Sequence, residues 1–206
     1  MSSSLLNKKS ARFTILLILL VPIISLGIYR TISPSIASTA NTYRKQINTK
    51  PVVLPIYGIP VKLLIPSISL AINLESVGIA SNGAMDVPIG RNNGAWFNLG
   101  PRPGEIGSSV IDGHYGFWIN GEPAVFNDLN KLNKGNLIRV VENNNMVVSF
   151  VVVDLKIYTP SQSDKNIFAS TDNLSHLNII TCQGIWNPDN KTYSSRLVVF
   201  ANKINT

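Results

Sequence analysis

The chain has 206 residues, one cysteine, two histidines and a formal net charge of +7. The single cysteine excludes an internal disulfide framework and any multi-cysteine metal site, so burial must hold the fold together. The charge is local: Lys8, Lys9, Arg12, Arg30, Arg44, Lys45 and Lys50 all precede the first acidic residue, Glu75, and from Pro51 onward Lys and Arg are balanced by Asp and Glu. No clustered cationic face is left on the rest of the chain, and nucleic acid is not an expected partner.

In chain order, residues 1–12 read as a short basic cytoplasmic tail. Phe13 to Tyr29 carries no charge between Arg12 and Arg30. It is slightly short of the roughly 20 residues that span a hydrocarbon core. The preceding cations favour that end in the cytoplasm and the remainder outside, and Pro22 would kink a membrane helix tolerably. Small residues at Ser35-Ile36-Ala37 and Ser38-Thr39-Ala40 would suit a signal-peptidase cut, but the long apolar run favours an uncleaved signal anchor at 13–29. Either reading exports the residues C-terminal to it, so the expected location is the cell membrane, single-pass, with the folded domain extracytoplasmic. Residues 30–58, rich in Ser, Thr and Asn and closing on prolines, read as a linker that buries little.

Residues 59–206 change character to short apolar runs separated by Gly, Pro, Asn and Asp. Strands are expected at Val61–Ile65, Ala71–Val77, Ser108–Ile111, Leu137–Val141, Met146–Tyr158, Leu177–Cys182 and Leu197–Ala201, where branched and aromatic side chains suit a pleated surface. Asn143-Asn144-Asn145 reads as a hairpin turn. Helical periodicity is weak, with short helices expected around Val125–Leu132 and Asp164–Ala169. This is the pattern of an all-β domain, closed or sandwiched, with few helices.

Three residues stand out for chemistry. Cys182 ends the apolar run from Leu177 and is followed by Gln183-Gly184, which places its thiol toward a sheet rim. An unpaired exported thiol is open to oxidation and calls for a reason, although a lone cysteine is also a common buried hydrophobe. His114 follows a strand running into Gly113 and precedes Tyr115-Gly116, a rim position. The other histidine, His176, reads as a surface or strand-start residue. Arg196 opens the last strand. If that strand pairs antiparallel with the one ending at Cys182, thiol and guanidinium sit side by side, with a long loop, Gln183 to Ser195, overhanging them. Together the three supply a nucleophile, an acid/base and an oxyanion donor, the set that cysteine acyl transfer requires. Acidic residues are scattered, so a calcium site is neither indicated nor excluded, and no cofactor is called for.

Several segments form an ordered set of motifs. Gly83-Ala84-Met85-Asp86-Val87-Pro88, Gly94-Ala95-Trp96-Phe97 and Gly100-Pro101-Arg102-Pro103-Gly104-Glu105-Ile106-Gly107 lead into Gly113-His114. Ile180-Thr181-Cys182 and Arg196-Leu197-Val198-Val199-Phe200-Ala201 complete the set. In these the sequence resembles the sortases, most closely those of class E/F, from about Val61 to Lys203. The resemblance implies a closed eight-stranded β-barrel behind the N-terminal membrane helix, with Cys182 as nucleophile, His114 as general acid/base, Arg196 as oxyanion and substrate contact, and Thr181 as a further substrate contact. The implied reaction is transpeptidation. A Leu-Pro-x-Thr-Gly-like sorting signal of a secreted protein is cleaved and its acyl group passes to an amine on a cell-wall precursor or pilin lysine. Two departures fall at Gln183-Gly184, where relatives of this branch carry a second glycine after Thr-Cys, and at Asp112, where small residues are commoner. The alternatives are a membrane-tethered β-domain that binds a partner without catalysis, and a cysteine peptidase that releases its acyl group to water.

Overall fold

The computed structural model describes residues 55–205. The expected basic tail, membrane anchor and most of the linker lie outside the described residues. Eight strands are present: β1 Pro60–Ile65, β2 Leu70–Val77, β3 Gly94–Phe97, β4 Gly107–Gly113, β5 Leu137–Glu142, β6 Val147–Tyr158, β7 Ser175–Asn187 and β8 Thr192–Lys203. They close into a barrel in the order β1-β2-β3-β4-β7-β8-β6-β5. The pairs β2–β3 and β4–β7 are parallel and the remaining pairs antiparallel.

Side-chain alternation fills the interior. Leu63, Ile65, Ile111, Ile138, Val140, Phe150, Leu177, Ile179, Val199 and Ala201 are almost fully buried in one cluster. Closure leaves no unpaired edge among these strands. The β5–β6 turn is the Asn143-Asn144-Asn145 hairpin read from sequence. The Asn145 N–H donates to the Glu142 carbonyl at 2.9 Å, and Asn145 sits at φ 65°. That left-handed position suits Asn in a three-residue hairpin loop.

The expected helices shrink. Asp164–Ala169 contains one four-residue α-helix, α1, Lys165–Phe168. Of Val125–Leu132 only Leu129–Lys131 is helical, as a 3-10 turn, and residues 125–128 form turns. The apolar residues there serve as a plug. Phe126 is fully buried, and its ring fills the space a side chain at Gly113 would need. Its N–H donates to the His114 carbonyl at 3.0 Å, which fixes the backbone where β4 ends.

Residues 98–106 form the β3–β4 connection and clasp the residues that lead into β1. Arg102 Nη1 donates to the Tyr57 carbonyl at 2.7 Å, and Lys203 Nζ bonds the Tyr57 hydroxyl. The Tyr57 ring lies where Gly104 would carry a Cβ. On the other side, Glu142 Oε2 accepts from the Gly58 N–H at 2.7 Å, and Asn143 Oδ1 accepts from the Ile59 N–H at 3.0 Å.

Candidate active site

The barrel's registers bring the candidate residues together. Cys182 of β7 stands directly opposite Arg196 of β8, so the two share a face. β4 runs parallel to β7 with Asp112 beside Ile180 and Gly113 beside Thr181. Asp112 therefore shares the Cys182 face, and His114 follows two residues along. This face is turned away from the packed interior. Asp112, His114, Cys182 and Arg196 all line one cavity of about 1510 Å³ on it.

Thr181 does not join them. It is fully buried, and its Oγ1 donates to the Gly113 carbonyl at 2.7 Å. One residue from Cys182 along a strand, the Thr181 side chain faces the barrel interior rather than the cavity. There it ties β7 to β4 just beneath His114.

The strand carrying Cys182 also differs from expectation. β7 does not end at the thiol but continues to Asn187. Beyond a bulge between Gln183 and Trp186, Trp186 still pairs with Tyr193 and Asn187 with Thr192. Gly184, at φ 89°, supplies the bulge. The expected long loop is thus mostly a hairpin arm with a turn at residues 188–191. Its exposed Ile185 and Trp186 break the burial pattern that marks a strand from sequence.

His114 Nε2 lies 3.1 Å from the Pro88 carbonyl oxygen. That oxygen only accepts, so Nε2 carries a proton, and in the neutral ring the lone pair is on Nδ1. Trp118 packs edge-to-face on the imidazole at 5.2 Å, and Arg91 in turn lies 5.1 Å over Trp118.

Arg196 is steadied by its own strand. Nη1 donates to the carbonyls of Tyr193 and Ser195 at 3.2 and 3.0 Å, and Nη2 to Thr192 Oγ1 at 3.1 Å. A guanidinium has five N–H donors, so these bonds leave capacity for a ligand. Burial pushes the Cys182 thiol up, Arg196 pulls it down and Asp112 pushes it further up, with burial prevailing. Burial thus favours the neutral thiol over the thiolate. Asp112 is itself pushed up to about 7 by burial, against a backbone hydrogen bond at Gly113 and the attraction of Arg196. Tyr193 is raised by burial, then by Cys182 and Tyr115. It packs edge-to-face with Tyr115 at 5.3 Å and Trp186 at 5.1 Å, and the three rings line the cavity. Sequence reasoning marks Asp112 only as a departure and misses Trp118 and Tyr193. Alternation from His114 would have revealed the first, but nothing local marks the aromatics. Among the described residues no group of His, Cys, Asp and Glu is placed to hold a metal ion.

Residues 63–204 match the sortase domain family. No curated protein matches the chain. Solved structures that share the fold include sortase C1 from Streptococcus suis, 16% identical over 73% of this chain and 75% of that one, TM-score 0.55. A lid mutant of sortase A from Corynebacterium diphtheriae is 18% identical over 84% and 83%, TM-score 0.56. Sortase C-1 from Actinomyces oris is 19% identical over 82% and 83%, TM-score 0.53. With a family match across most of its length and an eight-stranded barrel of the same fold, the chain belongs to the sortase family.

Proposed function

We propose that the chain is a cysteine transpeptidase that cleaves a Leu-Pro-x-Thr-Gly-like sorting signal and passes its acyl group to an amine. The observation that carries this reading is the convergence of Cys182, His114 and Arg196 on one cavity. His114 Nδ1, the nitrogen with the lone pair, takes the Cys182 proton as Sγ attacks the threonyl carbonyl carbon. The tetrahedral oxyanion is met by the uncommitted N–H groups of Arg196. Collapse breaks the Thr–Gly C–N bond, His114 returns its proton to the leaving amine, and a thioester remains. The acceptor amine then attacks the thioester carbonyl, loses a proton to His114 and expels the thiolate, so one amide replaces another.

The motifs between Gly83 and Ala201 support class E/F membership. The uncharged run 13–29 supports a single-pass anchor in the cell membrane, with 1–12 cytoplasmic, 30–58 a linker and 59–206 an extracytoplasmic catalytic domain. The acceptor is an amine of a cell-wall precursor or a pilin lysine.

The purified protein is incubated with a Leu-Pro-x-Thr-Gly peptide and triglycine and read by mass spectrometry. The expected result is a thioacyl adduct on Cys182 and a ligated product, both lost in Cys182→Ala. His114→Ala and Arg196→Lys are expected to fold and to lose turnover. Cleavage without ligation would instead indicate a hydrolytic peptidase. A Cys182 inert to peptides and thiol reagents alike would indicate a binding domain.

A further inference from the structure

Because β2 and β3 are parallel, the chain must travel back along the barrel between them, over residues 78–93. Parallel neighbours always need such a return. Exposed apolar side chains do little to hold its last part: Ile89 is 94% exposed and Val87 half exposed. Glu75 of β2 grips it instead. Oε2 accepts from the Ile89 N–H at 2.8 Å, and Oε1 accepts from the Gly90 N–H at 2.8 Å and from Asn93 Nδ2 at 2.7 Å. A Cβ at Gly90 would stand only 2.8 Å from Glu75 Oε1, so the loop approaches the carboxylate closely. The residue before Ile89 is Pro88, whose carbonyl oxygen accepts a hydrogen bond from His114 Nε2–H. Two residues beyond Ile89, Arg91 covers the Trp118 ring that packs on the same imidazole. The segment that Glu75 holds therefore meets His114 directly through Pro88 and indirectly through Trp118.

We propose that Glu75 is a positioning residue: by holding the 88–93 segment it sets the Pro88 carbonyl, which keeps the His114 proton on Nε2 and leaves Nδ1 as the basic nitrogen. The inference rests on the reading of His114 as acid/base. A charge-assisted grip on two backbone N–H groups and an amide suits this task. Its orientation of His114 resembles the way an outer carboxylate fixes a histidine tautomer through a hydrogen bond.

The test is Glu75→Gln in the full chain, which keeps shape but turns an amide donor toward donors. Two readouts are taken: ring-nitrogen NMR of His114, identified by the signals lost in His114→Ala, and steady-state transpeptidation. The wild type is expected to show the Nε2–H form. Glu75→Gln is expected to show a mixture of tautomers, with kcat down about 10- to 100-fold and KM within about twofold, as for a displaced catalytic group. An unchanged His114 spectrum, or an unchanged kcat in an active enzyme, overturns the proposal. If the wild type performs no transpeptidation, the ring spectra alone decide the positioning and the failure counts against the transpeptidase reading. If Glu75→Gln does not fold, Asn93→Ala, which removes one of three donors, is read the same way. A smaller shift in the same direction supports the proposal, and a wild-type spectrum overturns it.

Discussion

Asp112 is the side chain that most sets this site apart. Its carboxyl, raised to about 7 by burial, shares a face with Cys182 and lies within the field of Arg196. Once ionised it opposes formation of a second anion at the sulfur. Asp112→Asn is therefore expected to lower the pH midpoint for Cys182 alkylation by about half a unit, as removal of a nearby like charge does. A midpoint that stays put or rises would show that Asp112 does not act on the thiol. The opposition of Cys182 and Arg196 is legible in the sequence, because two apolar runs joined by a polar connection imply an antiparallel pair. The inward aim of the Thr181 side chain is equally available from strand alternation, since it is one residue from Cys182. Glu75 carries no signal at all, because its partners are two backbone N–H groups and one side-chain amide of a loop 14 to 18 residues away.

Elements show a similar division. The seven strands expected from apolar runs are all present, whereas β3 has no strand signature. It has only four residues and starts at Gly94, where a Cβ would come within 2.9 Å of Leu74 Cδ2. A glycine needed for close strand approach is the residue that weakens a strand pattern. The arm of the β7–β8 hairpin is hidden for a different reason, since it extends beyond the barrel core and has no fully buried residue to impose alternation. It is seated on Gly116, at φ 94°, where the Tyr193 hydroxyl occupies the place of a side chain. Gly116→Ala is expected to cost about 1–3 kcal/mol from the left-handed backbone and to push the arm outward. Thermal melting should show the loss, and Tyr193 should become more reactive to tyrosine-modifying reagents. Unchanged melting and reactivity would mean that the arm is held from elsewhere.

Across the whole molecule, carboxylates pull the pH dependence of stability in two directions. Asp112 and Glu142 are raised by burial, and Glu142 Oε1 has no hydrogen-bond partner. Groups of this kind hold protons in the folded state that the unfolded chain has released, so stability falls as pH rises from about 4 through about 7. Glu75, Asp154 and Asp172 are lowered, chiefly by side-chain hydrogen bonds from Asn93, Lys134 and His176 respectively. Their contribution is present above the ordinary carboxylate range and is lost as pH drops below it. The melting temperature is expected to peak near pH 5 and to fall by a few degrees by pH 8, as the buried Asp112 carboxyl is forced to ionise. Asp112→Asn should flatten that decline, and a melting temperature that climbs steadily to pH 8 would refute the assignment. The grip on Tyr57 carries a mechanical meaning as well. It sits at the Lys203 end of β8, seven residues from Arg196, or about 23 Å by strand rise. A pull on the backbone ahead of Pro55 is met first by bonds to Glu142, Asn143, Arg102 and Lys203, before any rung of β1 bears load. Like the strain relief on a cable, the clasp would take up such a pull at the far rim, away from the cavity.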